Sequence, residues 1–173
     1  PNNNADDAYV ITYASGINKT ANYLNFGRQH LQGVTDEGFY YEVETPLSAG
    51  IVFNLAADIP ATAHITGAYI RFTAYGTNYG SVIRTNIRGE AAAAPGVFTT
   101  YEDFRDRVRT TKSVTWDFRT PWIKDSTYDT PDLSAIIQEI ITAYGAVNDL
   151  TLFIEDDGSD YTAVRRPYAY DDP

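Results

Sequence analysis

What most constrains this chain is its punctuation: short runs of alternating apolar and polar residues, each soon cut off by Gly, Asn, Asp or Pro. Alternation of period two puts successive side chains on opposite faces of a strand, and frequent turn residues exclude a fold of long helices. Residues 8–14 (AYVITYA) set Tyr9, Ile11 and Tyr13 on one face and Val10 and Thr12 on the other. Similar runs lie at 22–31, at 39–45 (FYYEVET) and at 50–56 (GIVFNLA), with a turn expected at Pro46 between the last two. Further strands are expected over 64–75, 81–90, 113–118, 150–155 and 161–165. The pattern predicts about nine short antiparallel strands.

Two stretches break the alternation. From Thr130, read as an N-cap, Pro131 takes the first helical position, and Leu133, Ile136, Ile137, Ile140, Ile141 and Tyr144 form one apolar stripe ending at Gly145. This predicts an amphipathic helix over 131–144. A shorter helix is expected over 101–108, where Thr100 and Asp103 have the spacing of a capping box. The fold class read from the residues is therefore all-β, a jelly-roll β-sandwich with one substantial and one short helix.

Composition narrows the function. Thirteen Lys and Arg against 23 Asp and Glu give a formal charge of −10, which repels nucleic acid and anionic membranes. No apolar run approaches the roughly 18 residues of a membrane span. With no Cys there is no thiol nucleophile and no thiolate metal site, and His30 and His64 are the only imidazoles. Pro1 with no Met in the chain is expected to follow removal of an initiator Met or cleavage of a longer precursor.

Three segments carry a resemblance. IPATAHITGAYIRFTA (59–74), IRGE (87–90) followed by FTT (98–100), and TPDLSAIIQEII (130–141) followed by LTLFIEDDG (150–158) occur in that order. They resemble a β-sandwich module of large bacterial surface and secreted proteins. The resemblance spans roughly residues 20 to 172, and its members are adhesive, carbohydrate-associated or structural modules without a catalytic residue set. It implies an extracellular or cell-surface location.

The departures matter more. Modules of this kind continue beyond a segment like VRRPYAYDDP into one more apolar strand, and we expect the sandwich here to lack it. In front of the module stands PNNNADDAYVITYASG, whose alternating strand has no evident partner. We therefore expect residues 1–19 to be an N-terminal extension, a candidate donor strand (Tyr9, Val10, Ile11, Tyr13) with a linker over 15–19. Residues 20–173 form the sandwich, with a groove beside 150–154 and 161–164. A spare strand and an open groove make strand addition between subunits possible, and a head-to-tail relation builds an open filament. A second reading stays open, in which the strand folds back on its own domain or the chain is clipped from a longer one.

Other candidate sites follow. Carboxylates without Cys or His suit a hard cation. In jelly-roll modules of the carbohydrate-binding type a structural Ca²⁺ sits where first and last strands meet, a resemblance that nominates Asp7, Glu90, Asp171 and Asp172. The turn at Asp156, Asp157 and Asp160 reads as solvated. Glu42 and Glu44 share a strand face and are the one pair with the placement a glycosidase needs, but no nucleophile, zinc or phosphate-loop motif accompanies them, so no enzyme is expected. Trp122 and Tyr128 are the candidates for stacking on sugar rings, with Trp116 assigned to the core. Arg105, Arg107 and Arg109 are expected to pair with neighbouring acids. Asn18-Lys19-Thr20 is the single glycosylation sequon. The leading expectation is a structural filament subunit with itself as partner; a carbohydrate-binding module and a virion decoration or head-fibre protein are the alternatives.

Overall fold

The computed structural model describes residues 7–12, 14–78 and 81–169. The elements in order are β1 (Asp7–Ile11), β2 (Gly16–Asn18), β3 (Phe26–Val34), β4 (Tyr40–Ile59), β5 (Arg71–Thr73), β6 (Ile83–Glu90), α1 (Tyr101–Asp106), β7 (Arg109–Phe118), β8 (Thr127–Asp129), α2 (Ser134–Tyr144), β9 (Val147–Asp156) and β10 (Val164–Arg165). The protein is all-β with two helices, and every ladder is antiparallel.

The main sheet runs β10-β3-β4-β9-β6-β7. Its spine is the 20-residue β4, which replaces the two strands and turn expected from the sequence. Residues 40–47 of β4 pair with β3, residues 49–59 pair with β9, and β1 pairs with residues 47–51. Because β1 overlaps both neighbours, it lies on the opposite edge of β4. Pro46 causes no turn because its carbonyl accepts a hydrogen bond from Thr12 N–H at 3.3 Å, on the β1 side. Its nitrogen therefore faces that same edge just beyond the β1 ladder, where no donor is required.

On one face of this sheet lies the main core. Ile51, Ile83, Ile87, Leu152 and Ile154 pack there against α2 and a smaller layer built on β5 and β8. The smaller layer is widened by bridges from Ala74 to Pro167 and from Tyr23 to Tyr168. On the other face Phe98, Phe104 and Phe153 cluster with Ala8 and Val10 of β1. Residues 150–154 are consequently buried on both faces.

The helices differ from expectation at their starts. α2 begins at Ser134, not at 131, and Leu133 caps it without a side-chain bond. Thr130 and Asp132 are engaged elsewhere: their side chains accept the N–H groups of Ile70 and Ala68 at 3.0 and 2.9 Å. Gln138 does the same for Ile65. Side chains at and around α2 thus substitute for a partner strand along 65–70, so of the expected 64–75 strand only Arg71–Thr73 forms a ladder. Gly145 ends α2 with φ 86°, its N–H reaching Ile141 O. In α1 Asp103 N–H donates to Thr100 Oγ1 and the Asp103 carboxylate accepts Thr99 N–H, as the capping spacing predicts. The helix stops at Asp106 because Arg107 turns extended to lead into β7.

From Gln29 and Thr45 outward, β3 and β4 pair only with each other among the described residues, ending at Val34 opposite Tyr40. They form a two-stranded arm beyond the body of the sheet.

Candidate assembly site

The seat of the N-terminal strand is built from several elements. In β1 the register sets Tyr9 opposite Ala49, Val10 opposite Ser48 and Ile11 opposite Leu47, while β2 covers its other edge with Asn18 opposite Tyr9. Ala8 and Val10 point into the Phe98, Phe104 and Phe153 cluster, which Ile17, Val52 and Tyr101 border. Gly50 admits two of those rings: a Cβ there would stand 2.5 Å from Phe98 Cζ and 2.7 Å from Phe104 Cε2. On the opposite face Tyr9 stacks 6.1 Å from Tyr23, which lies 4.8 Å from Tyr75. Burial and the neighbouring Tyr23 push the Tyr9 hydroxyl above its ordinary pKa. Tyr13, the fourth candidate donor residue, lies outside the described residues.

Two expectations about this region are corrected. The stretch read as a linker over 15–19 contains β2, whose backbone groups complete a hairpin with β1. The groove expected beside 150–154 is closed: β9 lies between β4 and β6 and hydrogen-bonds on both edges. The edge that takes the N-terminal strand belongs to β4 instead.

The arginines behave as expected and do more. Arg105 pairs with Asp106 at 2.7 Å. Arg107 pairs with Glu90 at 2.9 Å and with Asp103 at 3.1 Å, and donates to Gly96 O and Val97 O. Arg109 pairs with Glu155, donates to Phe104 O and Arg107 O, and covers Phe153. Together they clamp α1 and the 96–98 segment over the cluster that receives Val10. Sequence reading found the charges but not the clamp, because the partners are separated along the chain.

The calcium candidates are not brought together. Asp7 is opposite Ile51, which is opposite Leu152, which is opposite Gly89. Three inter-strand steps of about 4.8 Å put Asp7 about 14 Å from the Gly89–Glu90 strand. Glu90 is held by Arg107, and Asp171 and Asp172 lie outside the described residues. Among the described residues no three acidic or imidazole groups form a cation cage. In the 156–160 turn Asp156 binds Arg28, Asp157 binds Asn86 and Asp160 binds Arg84.

Of the two sugar-stacking candidates, Trp122 is corrected. Trp122 is 1% exposed and its indole is stacked on Tyr128 at 4.7 Å, within a cluster that includes Phe26, Phe72, Trp116 and Phe118. Tyr128 uses its hydroxyl on Ile123 N–H and Pro121 O. Trp122 therefore offers no open ring face for stacking on a sugar, and one face of Tyr128 is taken by Trp122. Asn18 is half-buried in β2, and its Oδ1 accepts the N–H groups of Thr20 and Ala21, so the sequon folds as a turn. Glu42 and Glu44 stand on the arm, beside Gln32 and Arg28. His30 Nδ1 lies 2.7 Å from the Tyr161 hydroxyl, and His64 is exposed.

Compared with known proteins, the chain matches no family model and no curated sequence. Among the described residues no helix is long and apolar enough to cross a membrane.

Proposed function

We propose that the protein is a non-enzymatic structural subunit of an extracellular filament, a jelly-roll protomer joined head to tail by exchange of its N-terminal strand. One observation carries the reading. β1 is seated on the edge of β4 with Ala8, Tyr9 and Val10 buried, yet it joins the body only through β2 and the short segment 19–22. An edge strand attached in this way can make the same ladder on a neighbouring copy, since exchange of an identical element replaces each contact by its equal. A structural Ca²⁺ and a glycan on Asn18 belong to the same extracellular reading, and a virion decoration protein would use the same contact.

Because the chain has no native Cys, a lock tests the exchange. Tyr9 and Ala49 face each other without mutual backbone bonds, the hydrogen-bonded position falling at Pro46 and so at Ser48. That spacing suits a disulfide. The variant Tyr9→Cys/Ala49→Cys, oxidised as a monomer, holds its strand in place. Electron microscopy should show filaments from the wild type and from the reduced variant, and none from the oxidised one. Filaments from the oxidised variant would refute strand exchange.

A further inference from the structure

The N-terminal strand meets two different aromatic surfaces. On one face of β1, Val10 packs with Phe98, Phe104 and Phe153. On the other, Tyr9 heads a row of four tyrosines. Its ring is 6.1 Å from Tyr23, Tyr23 is 4.8 Å from Tyr75, and Tyr75 is 5.2 Å from Tyr168. Packing alone does not call for phenols, as the three phenylalanines opposite show, and burying a hydroxyl carries a desolvation cost that a phenyl ring avoids. Backbone pairing holds the row together: Tyr23 and Tyr168 face each other in a bridge, and Tyr75 N–H donates to Arg166 O, two residues before Tyr168. Of the four, Tyr9 alone belongs to the strand that assembly would move.

The row also runs from the surface to the interior. Tyr75 is 36% exposed, Tyr23 and Tyr168 are half-buried, and Tyr9 is 6% exposed. Their hydroxyls are used differently. Tyr168 donates to Asp125, whereas the Tyr9 hydroxyl hydrogen-bonds with the side chains of Tyr23 and Asn25. Burial first, then Tyr23, raise the Tyr9 pKa, so this phenol stays protonated and its oxidation releases an electron and a proton together. The Tyr23 oxygen lies beside it to take both. A tyrosyl radical carries unpaired spin on the ring carbons flanking its oxygen, and two tyrosines couple through those carbons. The Tyr9 and Tyr23 rings are within 17° of parallel and meet at their hydroxyl ends. The Tyr23–Tyr75 pair is tilted by 35°, and Tyr75 and Tyr168 cross at 79°.

We infer that Tyr9 and Tyr23 form an oxidative cross-linking site, at which a dityrosine ties the N-terminal strand covalently to the domain it lies on. The oxidant is a one-electron acceptor of the peroxidase class, itself reoxidised by hydrogen peroxide. A first electron and proton leave the exposed Tyr75. Tyr23 replaces them, and Tyr9 in turn passes a hydrogen atom to Tyr23. A second oxidation by the same route regenerates the Tyr23 radical beside that of Tyr9. The two radicals join in a C–C bond between carbons flanking their oxygens, and the hydrogens of those carbons move to the oxygens, restoring both phenols. In sum, two tyrosines lose two hydrogen atoms, which reduce one hydrogen peroxide to two waters. Joining two copies rests on the strand-exchange reading: on an exchanged strand Tyr9 comes from one copy and Tyr23 from the next, so the bond turns a filament into one covalent chain. On a strand seated in its own domain, the same bond closes a loop within one copy.

The full chain is treated with a peroxidase and limiting hydrogen peroxide, then followed by dityrosine fluorescence, a denaturing gel and mass spectrometry of tryptic peptides. Cleavage after Lys19 and Arg28 should release peptide 1–19 joined to peptide 20–28, lighter by two hydrogens than their sum. Tyr9→Phe and Tyr23→Phe, which keep the rings, should abolish this product, and Tyr75→Phe should slow its formation. A ladder of covalent multimers on the gel would support the bond between copies. The same joined peptides from a protein that runs as a monomer would support the site and refute strand exchange. Coupling of peptide 20–28 to peptide 72–84 instead, or a joined product undiminished in Tyr9→Phe, would overturn the inference while leaving strand exchange intact. Filaments that yield no dityrosine would do the same. Fragmentation of the joined wild-type peptides tells Tyr9 from Tyr13, so the result stands even where a variant does not fold.

Discussion

The guanidinium carbon of Arg109 stands 3.5 Å from the centre of the Phe153 ring, so a cation caps the apolar cluster that receives the N-terminal strand. The same guanidinium donates to Phe104 O at the end of α1 and to Glu155 on β9. A planar donor fork makes this arrangement, and an ammonium cannot reproduce it. Arg109→Lys should therefore lower unfolding free energy by about 1–3 kcal/mol, measured by urea denaturation followed by circular dichroism. An unchanged midpoint would show that the stacking and the fork add nothing.

Gly50 determines how closely Phe98 and Phe104 approach β4. In Gly50→Ala the new methyl carbon would overlap both rings, and both belong to segments with little room to retreat beneath the arginine clamp. The expected cost is about 1–3 kcal/mol from overpacking. Loosening the cluster also loosens β1, so limited proteolysis should cut the variant near its N-terminus sooner than the wild type. Equal cleavage rates would separate the Phe cluster from the strand's seat.

Trp122 is an anchor of the main core, stacked on Tyr128 and packed edge-on to Phe26. Trp122→Ala should cost about 3–5 kcal/mol. If the protein binds saccharides at all, a glycan array should register no loss attributable to Trp122 beyond that of unfolding. A folded Trp122→Ala variant with selectively weakened sugar binding would contradict this core assignment.

Acid should destabilise the protein through a defined set of carboxylates. At Glu139 burial raises the carboxyl pKa, but the N–H groups of Thr111 and Lys112 and the Thr111 hydroxyl outweigh it and the net shift is downward. At Asp103 burial likewise opposes the Arg107 guanidinium and the Thr99 N–H, and again the shift is downward. A carboxyl with a depressed folded pKa adds stability in full above the unfolded value of about 4, and that contribution is lost as pH falls through the folded pKa. Melting temperature should thus hold steady from about pH 7 to about pH 5 and fall below about pH 4. Glu139→Gln should lose less on acidification than the wild type; a parallel acid limb would remove Glu139 from the set.

Much of the secondary structure was legible in the residues because it rests on local chemistry. The 3.6-residue stripe from Leu133 to Ile141, the Gly145 stop and the Thr100–Asp103 cap each depend on neighbours within one or two turns. The alternation around Tyr9 and around Leu152 likewise marked strands, whatever their partners. Three of the readings that failed did so on a long-range contact. Pro46 passes through β4 because β1 lies beside it; Thr130 does not cap α2 because Ile70 N–H takes its hydroxyl; Trp122 is interior because Phe26 and Tyr128 close over it.

By itself the sequence determined that the chain is mostly strand with two helices and that it is acidic, since period, capping and charge are properties of a few adjacent residues. Only the tertiary structure decided which edge the N-terminal strand covers and why Gly50 and Arg109 matter to it. Those facts join residues far apart along the chain, and hydrogen-bond register and ring packing come into being only when the segments meet.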